Sequence, residues 1–191
     1  MPSTRRSLRR LAASSGGLLA VVALAGVAAA QTPGVEPSFD LRIEMRFLGA
    51  LVANLLLAGA LVVFGPSYAR ETVAELREDP VSAFLWGLLV GIGVPVLLFL
   101  LAITIVGLLV AIPGAIAFAI VGLVGNAVTI VWVGSLLVGA DGRVGGKTAA
   151  VGALVLAALG AIPVLGDLIT AVFGFVGLGV VGRRLYAAWQ D

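Results

Sequence analysis

An all-α integral membrane protein is the fold class this sequence predicts, with about five transmembrane helices behind an N-terminal signal sequence. Three observations lead there. Residues 47–64, 81–140 and 148–182 contain a single charged side chain, Asp167. The remaining charges gather in the short gaps between those blocks. Of all 191 residues, 61% are hydrophobic and only 12% charged. A soluble domain of this size leaves most elements with one wet face, and it could not absorb such blocks. Lipid can.

The first thirty residues read as an export signal. Arg5, Arg6, Arg9 and Arg10 form a positive start, residues 18–27 an apolar stretch, and Ala28-Ala29-Ala30 a small-residue cleavage site ending at Ala30. Thr4-Arg5-Arg6-Ser7-Leu8-Arg9 is also twin-arginine-like. An uncleaved anchor is the alternative. Residues 31–46 then form an extracytoplasmic spacer, irregular around Thr32-Pro33-Gly34 and Pro37-Ser38.

A helix needs about 20 apolar residues to cross a hydrocarbon layer of about 30 Å. Residues 47–64 supply the first crossing, closed by Gly65-Pro66. Residues 67–79 are polar, yet Ala69, Val73 and Leu76 recur at helical spacing, which predicts a short cytoplasmic helix lying along the interface. Pro80 opens the next helix, where its missing N–H costs nothing. The sixty residues from Val81 fit two crossings, about 81–106 and 112–138. Pro95 interrupts the first, and Gly107 with Ile112-Pro113-Gly114 marks the reversal between them. In residues 148–182 Pro163 and Gly166-Asp167 punctuate the middle, which predicts two short helices at about 148–161 and 166–182. A re-entrant hairpin is the alternative for this pair.

Counting bases supports five crossings after the signal, because Arg70, Arg77, Arg143, Lys147, Arg183 and Arg184 then share the cytoplasmic side. The spacer, with Arg42 and Arg46, lies outside and the C-terminus inside. A single long final helix would export Arg183 and Arg184. The expected location is the cell membrane.

Few residues offer chemistry. With no cysteine or histidine, thiolate nucleophiles, the common zinc and haem ligands and Ser-His pairs are excluded. No catalytic, cofactor-binding or metal site is expected, and the chain does not read as an enzyme. Bases scattered at segment ends exclude a nucleic-acid face. Gly142-Arg143-Val144-Gly145-Gly146-Lys147-Thr148 resembles a phosphate loop, but Asp141 stands where the first glycine belongs and no strand precedes it. Asp167 has two readings: a proton or cation site beside Pro163, or a turn residue capping the helix that follows. Asn54, Asn126 and Thr129 lie within crossings and read foremost as hydrogen-bonding glue. Gly87 and Gly91, and Gly174, Gly177 and Gly179, support tight helix packing. The helix breaks are placed at Pro95, Pro113 and Pro163.

Leu51-Val52-Ala53-Asn54-Leu55-Leu56-Leu57-Ala58-Gly59, Arg77-Glu78-Asp79-Pro80, Gly93-Val94-Pro95, Ala102-Ile103-Thr104-Ile105-Val106-Gly107 and Ile162-Pro163-Val164-Leu165-Gly166 resemble an uncharacterised multi-pass membrane domain common in halophilic archaea. That domain often follows a bactofilin-like, polymer-forming segment, and the resemblance, over about residues 47–187, implies a membrane anchor for such a polymer. The sixteen residues between signal and first crossing are too few for a stack of β-helical rungs. The expectation is a non-enzymatic envelope anchor or assembly partner, in contact with lipid and with other membrane or polymer-forming proteins or copies of itself. The competing expectation is a small channel or transporter with Asp167 in its path.

Overall fold

The computed structural model describes residues 39–138 and 144–190, with side chains from residue 43 onward. The expected signal segment with Arg5, Arg6 and Ala30, the first half of the expected spacer, and Arg143 lie outside the described residues. The chain divides into Met1–Arg42 and Ile43–Asp191; the packing below is that of the second unit.

Six helices follow in order: α1 (Phe39–Phe64), α2 (Pro66–Glu78), α3 (Pro80–Ala102), α4 (Ile105–Leu137), α5 (Gly146–Gly160) and α6 (Leu165–Gln190). There is no strand among the described residues. Four helices, α1, α3, α4 and α6, are long and apolar enough to cross a membrane. The protein is an all-α, multi-pass membrane protein. Large apolar side chains such as Leu89, Phe99, Ile105 and Leu109 stand on its surface, where only lipid makes them acceptable.

Five crossings were expected, and α5 is the departure. Its 15 residues extend about 22 Å at 1.5 Å each, short of the ~30 Å hydrocarbon layer. The last helix is not short: α6 runs 26 residues, through Arg183 and Arg184, because those charges are held by a neighbouring helix. At the other end of the chain, α1 begins eight residues before the apolar block. Leu41, Arg42, Glu44, Met45 and Arg46 are good helix formers, and hydropathy marks where lipid begins, not where a helix does.

The reversal between α3 and α4 falls at Ile103 and Thr104, ahead of the Gly107–Pro113 region expected from sequence. Thr104 is extended (φ −100°, ψ 145°) and its hydroxyl oxygen accepts from the Gly107 N–H at 2.9 Å, a helix N-cap. Pro113 and Pro95 therefore lie inside continuous helices. Each removes one backbone donor without stopping the helix around it. Pro163 alone sits in a reversal, between α5 and α6, followed by Val164 at φ 65°.

Small residues bring the helices into backbone contact. A Cβ on Gly179 would collide with the Ala83 carbonyl, and one on Gly87 with the Phe175 carbonyl. The falling numbers on α6 against rising ones on α3 make this pair antiparallel. Gly134 and Gly152 seat α4 against α5 in the same way. Around these contacts Leu76, Val128, Ile130, Val131 and Val180 are fully buried, a core in which dispersion replaces the hydrophobic effect as the force between helices.

Candidate functional site

A cavity of about 330 Å³, lined by both polar and apolar residues, opens among α1, α4, α5 and α6. Its lining follows helical spacing. Arg46, Ala50 and Asn54 recur every four residues on α1, so they form one stripe. Asp167, Thr170 and Phe173 recur every three on α6, Leu156 and Gly160 come from α5, and Asn126 comes from α4. At the lip, the Arg46 guanidinium donates to the Asp167 carboxylate at 2.5 Å. This pair is wet, with side-chain exposures of 44% and 67%, so it contributes at most about 1 kcal/mol. Asn54 lies eight residues below Arg46, about 12 Å deeper along the helix.

The three polar residues singled out from sequence, Asp167, Asn54 and Asn126, thus share one cavity. Arg46 and Thr170 belong with them and were not singled out. The 46-50-54 stripe was the available signal, but an arginine in a charged flank reads as a membrane boundary, and Thr170 is ordinary in a helix. Asp167 is the third residue of α6, where its charge also suits the helix N-terminus. Thr129 lies outside the lining. Its hydroxyl faces the carbonyls of Gly125 and Phe173, each at 3.0 Å, tying α4 to α6.

The lining ends on Phe173, whose ring meets Trp132 edge-on at 6.1 Å. Beyond Asn126 the α4 side chains Val128, Ile130 and Val131 are fully buried and apolar. Among the described residues no cluster of three or more His, Cys, Asp or Glu is placed to hold a metal. What the cavity offers is a paired acid and base at its mouth and carboxamides within.

A second polar cluster lies at the opposite end of α6. Glu75 on α2 accepts from Arg183 Nε at 2.7 Å and from Arg184 Nε at 2.8 Å, and pairs with the second Arg183 nitrogen as well. Arg184 also reaches Glu71 at 3.1 Å and lies 5.4 Å from the centre of the Tyr68 ring. Burial pushes the Glu75 carboxyl up, but the hydrogen bonds and charges of Arg184 and Arg183 outweigh it and hold it below its ordinary value. Burial raises the Tyr68 hydroxyl more than Arg184 lowers it. On the same side, Arg77 donates to the Ser135 carbonyl at 2.7 Å, fastening α2 to the end of α4.

Residues 1–190 match the family described as "Domain of unknown function (DUF8173)". The chain belongs to that family. No curated protein matches, and no solved structure does. The family spans the whole region of α1 to α6, so cavity and clasp both lie within it. The match carries no statement on source organism or on polymer-forming segments.

Proposed function

We propose that this DUF8173 protein is a non-enzymatic component of the cell envelope that anchors or assembles partner proteins at one membrane face. The observation that carries this reading is the clasp on α2. Its inner face, Ala69, Thr72, Val73 and Leu76, is buried in the bundle, while Arg70, Glu71, Ala74 and Glu78 are exposed. An amphipathic helix tied by Glu75 to α6 and by Arg77 to α4 holds a charged face in a fixed place, which is what a scaffold presents to a partner. Arg77, Arg183 and Arg184 gather at this end, which supports placing it, and the C-terminus, on the cytoplasmic side. The resemblance to domains that follow polymer-forming segments makes such a polymer the first partner to seek.

A photo-crosslinking residue at Ala74, used in intact membranes, tests the reading. A discrete partner recovered there, and lost after reversal of Arg70 and Glu78, is the expected result. No adduct under any growth condition refutes it.

A small channel or transporter is the second reading, favoured by the cavity that gathers Asp167, Asn54 and Asn126. It has to contend with the apolar packing beyond Phe173. Ion or solute flux in liposomes that Asp167→Asn abolishes would place this reading first; no flux above empty liposomes would remove it.

A further inference from the structure

We propose that the cavity between α1 and α6 is a binding site for a small zwitterion, one molecule carrying both an ammonium and an anionic group. The inference concerns occupancy and not passage, so it rests on neither reading of function above.

The charges select the class. The mouth carries one guanidinium and one carboxylate, Arg46 and Asp167, side by side. An added cation gains Asp167 but faces Arg46, and an added anion meets the reverse. A zwitterion satisfies both at once, its anionic end on Arg46 and its ammonium on Asp167. This exchange costs little, because the existing pair is exposed and weak.

The interior supplies a second, independent observation. Asn54 and Asn126 line the cavity, and among the described residues neither carboxamide has a hydrogen-bond partner, although Thr129, on the same helix as Asn126, has its own. Both residues are half-exposed, so each amide has open cavity space in which to bond a guest. The two amides therefore point to a guest, and Thr170 adds a hydroxyl on the α6 side. The volume of about 330 Å³ exceeds what a bare ion fills and falls in the range of small-molecule pockets. Ala50, Leu156 and Phe173 form apolar walls that suit the methyl or methylene groups of such a molecule.

Two sources offer this chemistry, a free solute such as a betaine and the headgroup of a zwitterionic lipid. The test uses the full chain in nanodiscs of phosphatidylglycerol, which has no ammonium group. Glycine betaine is titrated calorimetrically, with tetramethylammonium chloride and sodium acetate as the single-charge controls. In parallel, native mass spectrometry follows retention of phosphatidylethanolamine. Saturable binding of betaine, absent for both controls, assigns the free-solute source; retention of phosphatidylethanolamine without betaine binding assigns the headgroup. Neither effect, or equal heats from the controls, overturns the proposal and leaves a cavity holding water only.

Asn126→Leu and Asn54→Leu are each expected to weaken binding at least about tenfold, the loss of one hydrogen bond to a charged guest. Their melting temperatures should not fall, since each removes an unpartnered amide. Should either fail to fold, Arg46→Gln at the exposed lip serves, with the same expected weakening. Variants that all bind as the parent does would overturn the assignment.

Discussion

Replacing Glu75 by glutamine should unfasten α2 from α6 while leaving the side chain's shape unchanged. Glu75 is 20% exposed, and its partners Arg183 and Arg184 are 30% and 28% exposed. A hydrogen bond to a charged group contributes about 1.5–3 kcal/mol when well shielded, and two arginines depend on this carboxylate. Three features reduce the loss. Glutamine keeps one acceptor oxygen, Arg184 retains Glu71 at 3.1 Å, and Arg183 retains a long contact to Ser82 Oγ at 3.4 Å. Partial exposure screens the remainder. The net loss is about 2 kcal/mol, or about 4–8 °C in melting temperature for a chain of this length. The pH dependence carries a sign. Because the Glu75 carboxyl is held below its ordinary value, its contribution is full at neutral pH and is lost as pH falls through that lowered value. The gap between the parent and Glu75→Gln should therefore close in acid. Thermal unfolding in detergent micelles, followed by tryptophan fluorescence at neutral and acid pH, measures it. Equal melting temperatures at neutral pH, or a gap that widens in acid, would refute the clasp as a stabilising contact.

Gly179→Ala should destabilise by about 1–3 kcal/mol, the range for forced overpacking, because its Cβ would strike the Ala83 carbonyl. Gly174→Ala, on the same helix with nothing within 4 Å, should be neutral or stabilising by up to about 1 kcal/mol. Comparing the two melts separates close packing from propensity. Val164→Gly should raise stability by about 1 kcal/mol, since a β-branched residue at φ 65° is strained and its side chain, 80% exposed, loses little packing; an unchanged or lower melting temperature contradicts that. Thr129→Val should cost about 1 kcal/mol by removing the hydroxyl that links α4 to α6, read in the same unfolding assay.

The sequence alone determined the class, the long apolar helices α1, α3 and α4 and the polar helix between α1 and α3, but not the length of α6. Uncharged blocks of membrane length and the 69-73-76 spacing are local properties, and lipid reads local properties directly. It marked Pro163, but not which prolines a helix could carry: whether Pro113 ends a helix depends on a competing N-cap, which Thr104 supplies nine residues earlier. Likewise α6 passes through Arg183 and Arg184 only because Glu75, more than a hundred residues away in the chain, neutralises them. The same limit governs the cavity. Asp167, Asn54 and Asn126 stood out individually as polar residues in apolar blocks, yet nothing local said that they meet, or that Arg46 closes the mouth above them. Composition decides which segments enter lipid. Which of their faces touch is decided by glycine contacts between distant helices, and only the folded bundle contains those.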